Sequence, residues 1–142
     1  MRALLDVNVL IALLDSDHAL HVPAMRWFES NARLGWASCP ITQNGCVRIM
    51  SHAGSPNPPP LRVVIEHLAA ATATDLHEFW PDDISLLNAA TVDSTRIHGP
   101  RQLTDIYLLA LAVRHGGRFV TFDGSIAKDS VHGATSRHLL QL

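Results

Sequence analysis

The fold is indicated most clearly by residues 103–123, LTDIYLLALAVRHGGRFVTFD. From Ile106 to Val113 nearly every position is apolar, which is typical of a helix that is buried on all sides. The glycine pair that follows ends this helix, and Arg118–Phe122 predicts a short buried strand. Because a core helix leads directly into a buried strand, we expect a parallel sheet with helices packed against it.

The same alternation of strand and helix patterns extends through the rest of the chain. Short apolar segments predict further strands at residues 2–5, 36–39, 76–80 and 134–142. Amphipathic segments predict helices at residues 7–14, 21–31, 40–51 and 61–68. Asp82 or Asp83 is expected to cap one more helix that begins near Ile84. The class is therefore α/β, and a length of 142 residues predicts a single domain over residues 1–142.

The composition limits the kinds of function to consider. Hydrophobic residues make up 47% of the chain and charged residues only 17%, which excludes a disordered chain. The net charge of −2 argues against a protein that wraps nucleic acid, but it permits an enzyme that holds a short piece of it. Apolar runs are far shorter than a membrane span requires, so we expect a soluble, cytoplasmic protein with no membrane association.

The two cysteines, Cys39 and Cys46, carry no metal or redox motif. They form no CxxC pair, and no second pair of cysteines exists in the chain. Buried small side chains are therefore expected at both positions, rather than a disulfide or a zinc site.

Three carboxylates occupy positions where parallel sheets collect functional groups. Asp6 follows the first predicted strand, Asp123 follows the strand after the core helix, and Asp105 begins that helix. Each has an ordinary structural alternative: a helix cap, a turn residue and a first-turn acid, respectively. If the three converge, their repulsion favours a bound cation, and hard oxygen ligands suit Mg²⁺ or Mn²⁺.

The residues of these segments, and the order of the segments along the chain, resemble those of a known family. Asp6–Leu10, Leu103–Asp105 and Val120–Asp123, in this order, resemble PIN domains, and more closely the VapC toxins of toxin–antitoxin pairs of the actinobacterial type. Segments similar to Cys39–Arg48 and Gly99–Gln102 are also typical of that family. The resemblance extends over essentially the whole chain.

The resemblance implies a fold and an activity. It implies a PIN-like three-layer α/β sandwich, in which helices flank a mostly parallel central sheet. The activity implied is that of a Mg²⁺- or Mn²⁺-dependent endoribonuclease, in which metal-activated water attacks an RNA phosphodiester. It also implies inhibition by a cognate VapB-type antitoxin, and usually a homodimer.

The resemblance also implies roles for individual residues. Asp6, Asp105 and Asp123 match the family's metal-binding acids, and the polar helpers that orient water or an acid match Asn8, Thr121 and Ser125. The position of the remaining acid, commonly Glu, is occupied by Gln43. An amide orients water or binds through its carbonyl but brings no negative charge, so weaker metal binding is expected.

Contacts with the RNA backbone are expected from Arg48, Arg101 and Arg114, and His98 is a candidate for lining the RNA path. Two alternatives stay open. The first is a PIN-like binding module whose catalysis is weakened by Gln43. The second is a haloacid-dehalogenase-like phosphatase, whose nucleophile motif is approached by residues 6–9; however, Asn8 stands where its general acid belongs, and an amide donates no proton catalytically.

Overall fold

The computed structural model describes all residues from Met1 to Leu142. It contains five strands: β1 (Ala3–Leu5), β2 (Trp36–Ser38), β3 (His77–Phe79), β4 (Arg118–Thr121) and β5 (Leu139–Gln141). They form one sheet in the order β3-β2-β1-β4-β5, and every neighbouring pair is parallel. The carboxyl ends of all strands therefore meet at a single edge, with β1 at the centre.

Five helices cover the two faces of the sheet. They are α1 (Val7–Leu14), α2 (His21–Asn31), α3 (Pro40–Met50), α4 (Leu61–Thr72) and α5 (Leu103–Arg114). One face packs against α5, whose residues 106–112 are all buried, and the other face packs against the remaining helices. This arrangement confirms the predicted three-layer α/β sandwich. None of the helices combines the length and the apolar character needed to cross a bilayer.

Successive side chains of the central strands alternate between these two faces. Leu4 and Phe119 belong to the apolar cluster on the α5 side, whereas Leu5 and Val120 belong to the cluster on the α1 side. Because both faces are covered, these strands carry almost uninterrupted apolar sequence. Polar side chains are consequently displaced to the strand ends, where the candidate site lies.

Helices α1 and α3 make an unusually close contact beside this edge. A Cβ atom placed on Gly45 would lie only 2.7 Å from Cγ2 of Val7. Only glycine allows this approach, so the first residue of α1 is packed directly against the middle of α3.

The prediction of a helix that begins near Ile84 is wrong. Residues 81–99 contain no α-helix and only one short 3₁₀ turn, Ser94–Arg96. Asp83 does not cap a helix; its carboxylate lies 3.0 Å from Nε2 of His115 and 3.8 Å from Nε of Arg114. Asn88 accepts the Ala90 N–H in a turn at 2.9 Å. These local and long-range polar contacts replace the helix.

The last strand is also shorter than predicted. The segment Ser136–His138 forms a 3₁₀ turn, and only Leu139–Gln141 pairs with β4. Both cysteines are buried and free.

Candidate active site

Asp6 connects β1 to α1 and is almost completely buried. Its Oδ1 accepts the N–H of Val7 at 2.7 Å, and its Oδ2 accepts the hydroxyl of Thr121 at 2.7 Å. The carboxylate therefore does act as the helix cap, as the structural alternative proposed. Each oxygen keeps a second lone pair, so capping leaves Asp6 able to bind a cation.

Thr121 links two of the predicted acids. It is the last residue of β4 and is fully buried. Its hydroxyl donates to Asp6 and accepts the N–H of Asp123 at 3.1 Å. One buried hydroxyl thus fixes both the Asp6 carboxylate and the start of the turn that carries Asp123.

Asp123 is exposed and is held by Ser125. Its Oδ1 accepts the N–H of Ser125 at 2.8 Å and the hydroxyl of Ser125 at 2.7 Å. These two hydrogen bonds hold the pKa of Asp123 below its usual value. Asp123 is therefore charged at neutral pH, and its Oδ2 accepts no hydrogen bond from the protein.

Asp105 lies in the first turn of α5, beside Asp123. Together with Arg101, Gln102 and Ser125, the two carboxylates line a cavity of about 180 Å³. The pKa of Asp105 is raised to about 6, first by burial and then by the negative charges of Asp6 and Asp123. Asp105 accepts no hydrogen bond that would offset this effect.

The three acids are electrostatically coupled but do not form a closed cluster. Burial raises the pKa of Asp6, the charge of Asp123 adds to this, and the bonds from Thr121 and Val7 oppose it. Even so, no group of three His, Cys, Asp or Glu side chains has the spacing of a complete metal site. Mg²⁺ commonly binds through one or two carboxylates and keeps several waters, so this open, oxygen-only arrangement fits such an ion.

Gln43 lies on the other side of the same edge. It is half-buried in the first turn of α3, and its Nε2 donates to Oγ of Ser38 at 2.9 Å. Ser38 ends β2, which neighbours β1 in the sheet. Gln43 also lines a groove of about 720 Å³ between α3 and α4, together with Arg48.

The remaining predicted residues are spread over a wider area. Asn8 is exposed on α1 and makes no side-chain hydrogen bond. Arg101 shares the cavity of Asp105 and Asp123, whereas Arg114 is at the far end of α5, roughly 14 Å along the helix axis from Asp105. The structure therefore does not bring Arg114 to the acids. Exposed His98 is close to the cavity, because its N–H donates to Oε1 of Gln102 at 3.0 Å.

Comparison with known proteins shows the family of the chain. The PIN domain family matches residues 3–129 of the chain. Ribonuclease VapC44 of Mycobacterium tuberculosis is 55% identical over 142 residues, covering 100% of both chains. Ribonuclease VapC39 of the same organism is 44% identical over 137 residues, covering 94% of this chain and 96% of the relative. The chain belongs to the VapC family of PIN domain proteins.

A solved structure supports the fold of this VapC-family chain. The crystal structure of VapBC2 from Rickettsia felis, bound to a DNA fragment from its promoter, aligns with a TM-score of 0.58. The alignment covers 87% of this chain and 89% of that chain, at 12% sequence identity. The likeness at this identity concerns the fold alone.

Sequence reasoning missed two polar residues that contact the site of this VapC-family chain. Ser38 bonds both Gln43 and, at 2.8 Å, Nε2 of His77. The available signal was a serine within the apolar segment 36–39. Trp36 and Ser38 share a face of β2, and Ser38 is fully buried there. No local pattern links Ser38 to His77, which lies 39 residues further along the chain.

Proposed function

We propose that this chain is a metal-dependent endoribonuclease toxin that hydrolyses RNA phosphodiester bonds. The observation that carries the proposal is the placement of Asp6, Asp105 and Asp123 at one edge of the sheet. The charge of Asp123 contributes to the raised pKa of Asp6, and the charges of Asp6 and Asp123 contribute to the raised pKa of Asp105. The VapC relatives, which are named ribonucleases, support the same activity. PIN family membership leaves the phosphatase alternative without support.

The cation in this proposal is Mg²⁺ or Mn²⁺, held by Asp6, Asp105 and Asp123. A divalent ion bound there lowers the pKa of water and neutralises charge on a phosphodiester. Without the ion, the three carboxylates repel RNA as well as each other. Activity is therefore expected to depend strictly on the cation.

The other residues orient the acids and the substrate. Thr121 and Ser125 hold Asp6 and Asp123 through the hydrogen bonds described above. Arg101 lines the cavity of the acids and Arg48 lines the groove of Gln43, so we expect both to bind phosphates of the RNA backbone. Asn8 is exposed at the beginning of α1 and offers an uncharged donor and acceptor to the same substrate.

The proposed inhibitor is a VapB-type antitoxin that covers both the groove and the acids. Apolar side chains of the groove between α3 and α4 include Val47, Leu61 and Ile65, and Gln43 also lines this groove. An apolar helix of the antitoxin fits the groove, and an Arg or Lys of its tail would pair with the carboxylates. We propose a homodimer as the form that binds it. A crystal structure of the pair with the tail far from Asp6, Asp105 and Asp123 would contradict this arrangement.

The test of activity uses the purified protein, freed of antitoxin, and total bacterial RNA. Cleavage is expected with Mg²⁺ or Mn²⁺ and none with EDTA. Asp105→Asn should reduce the cleavage rate by at least about 100-fold, since even residues that only support metal ligands commonly cost 10–100-fold. The control is Asp75→Asn, which removes the same charge at an exposed position before β3. If Asp105→Asn cleaves at the parent rate, the proposed site is wrong.

The same experiment decides the alternative of a weakened binding module, which the amide at Gln43 favours. A protein that binds RNA or antitoxin but cleaves no RNA at any Mg²⁺ or Mn²⁺ concentration would support that alternative.

A further inference from the structure

A hydrogen-bonded chain leads from Gln43 into the protein. Nε2 of Gln43 lies 2.9 Å from Oγ of Ser38, which in turn lies 2.8 Å from Nε2 of His77. Ser38 is completely buried, so its hydroxyl has no access to water and depends on these two partners. The direction of the hydrogen bonds in this chain determines which end of the Gln43 amide is free.

The ring of His77 is held in place by its neighbours in the sheet. His77 pairs in register with Trp36, and the centroids of the two rings are 4.5 Å apart. Ser38 is two residues further along β2, on the same face as Trp36, so the imidazole reaches it diagonally across the strand pair. The ring is therefore a fixed partner of the Ser38 hydroxyl.

In the neutral ring of His77, the hydrogen is on Nδ1, the nitrogen that does not face Ser38. Nε2 of Gln43 donates to Oγ of Ser38, so Nε2 of His77 is the one acceptor left for the hydrogen of the Ser38 hydroxyl. Nε2 of His77 therefore carries no hydrogen, and Nδ1 does. Burial lowers the pKa of His77 and keeps the ring neutral. The nearby charges of Arg2 and Glu78 pair with each other at 3.0 Å.

All hydrogen bonds of this network therefore run in one direction. The amino group of Gln43 donates to Ser38, and the Ser38 hydroxyl donates to Nε2 of His77. The amino group of Gln43 therefore faces Ser38, and its carbonyl oxygen Oε1 accepts no hydrogen bond from the protein. We propose that Ser38 and His77 are positioning residues that fix the amide of Gln43 so that its carbonyl oxygen, and not its amino group, is offered to the active site.

This inference rests on the proposed function, in which Gln43 occupies the position of a fourth acid. A carboxylate there presents an acceptor whichever way it turns, whereas an amide presents an acceptor in only one of its two orientations. The groups that approach it in RNA hydrolysis, water and ribose hydroxyls, are hydrogen-bond donors to such an oxygen. The hydrogen bonds through Ser38 and His77 thus make the uncharged Gln43 a hydrogen-bond acceptor at the active site, as a carboxylate would be in either orientation.

Kinetics of RNA cleavage test the proposal. His77→Phe keeps an aromatic ring against Trp36 but removes the acceptor, which frees the Ser38 hydroxyl to turn towards Gln43. We expect kcat to fall about 10-fold or more, as for other residues that orient ligands, with KM changed less than twofold. Ser38→Ala should behave alike. The control is His67→Phe on the exposed side of α4, which should leave kcat unchanged.

A double-mutant comparison separates positioning from a general structural effect. If His77 acts through Gln43, then His77→Phe should cost nothing further in a Gln43→Ala background. It should also cost little in a Gln43→Glu background, because a carboxylate needs no orientation. Equal losses from His77→Phe in all three backgrounds would overturn the proposal.

A third readout does not depend on catalysis or on any variant. Nitrogen chemical shifts of His77 in the full-length protein report which ring nitrogen carries the hydrogen. We expect the Nδ1–H tautomer at neutral pH; the Nε2–H tautomer would overturn the inference even if RNA is cleaved. Conversely, absence of RNA cleavage together with the Nδ1–H tautomer would overturn the proposed function while leaving the amide orientation confirmed.

Discussion

The two halves of the candidate site both hold polar side chains in place at the sheet edge, but they do so with different chemical groups. On the β1 and β4 side, Asp6 and Asp123 are joined through the buried hydroxyl of Thr121, and Asp105 lies close enough to feel both charges. On the β2 and β3 side, Gln43 is joined through another buried hydroxyl, that of Ser38, to a neutral imidazole. Each half places one buried hydroxyl at the end of a strand.

The two halves differ in whether they depend on a cation or on the direction of their hydrogen bonds. The acidic half is unfavourable by itself, because its charges repel, and a cation relieves that repulsion. The amide half is electrically neutral and complete without a cation, but it works only if its hydrogen bonds run in one direction. Metal removal should therefore disturb the first half, and changes in hydrogen bonding the second.

After Asp105→Asn, the largest effect is expected from breaking the link inside the acidic half. Thr121→Val removes the hydroxyl that donates to Asp6 and accepts from Asp123. The cleavage rate should fall about 10–100-fold, as for other losses of a residue that supports metal ligands. The free energy of unfolding should fall by about 1–3 kcal/mol, because buried polar groups lose their partner. Chemical denaturation and RNA cleavage measure the two effects.

The matched control is Thr121→Ser, which keeps the hydroxyl. If Thr121→Ser loses as much activity as Thr121→Val, the hydroxyl is not the linking group.

A smaller effect is expected from making the amide half resemble the acidic half. Gln43→Glu adds a fourth carboxylate, so the protein should be less stable without metal and gain more from Mn²⁺ than the parent does. A ligand that binds only the folded state adds RT ln(1 + [L]/Kd), about 2.7 kcal/mol at a hundredfold excess over Kd. Melting temperatures across a Mn²⁺ titration measure the difference.

Asp105→Asn provides the comparison for that titration and should respond little to Mn²⁺ with either residue at position 43. Identical melting temperatures for the parent and Gln43→Glu at every Mn²⁺ concentration would place Gln43 outside the metal site.

The smallest effect concerns the pH dependence of stability without metal. The pKa of Asp105 is raised to about 6, so between pH 4 and 6 the folded state binds more protons than the unfolded state. Stability should therefore be highest at the acidic end of this window and fall as the pH rises through it. Asp105→Asn should remove this loss, leaving the variant about 1 kcal/mol more stable than the parent at pH 7, once screening by water is allowed for.

Denaturation of both proteins in EDTA at pH 4 and pH 7 measures the effect. A gap that does not widen between these two pH values would show that Asp105 is not under electrostatic strain.

The features that could be predicted from the sequence are those that a continuous segment of residues encodes. The apolar run in α5 and the strand after it form one local pattern, and Asp6 and Asp123 follow strands whose ends must meet in a parallel sheet. The helix expected near Ile84 does not form. The capping signal for it was local, whereas the contacts that Asp83 makes are long-range, with His115 and Arg114 at the end of α5.

The amide half could not be predicted in the same way. The contact between Ser38 and His77 depends on β2 and β3 pairing in one particular register, with Trp36 opposite His77. Residue types alone indicate no such pairing. The position of Gln43 was predicted from resemblance to a family, whereas the partners that orient it became visible only when the strands were placed side by side.

The contact between Gly45 and Val7 has a consequence for how the two halves are spaced. Val7 directly follows Asp6, and Gly45 is two residues after Gln43, so this close contact helps to set the width of the opening between the acids and the amide. A methyl group at position 45 would act as a wedge, because it would lie 2.7 Å from a Val7 methyl and would push α3 outwards. Each half would keep its own hydrogen bonds, yet a phosphodiester held by one would no longer be within reach of the other.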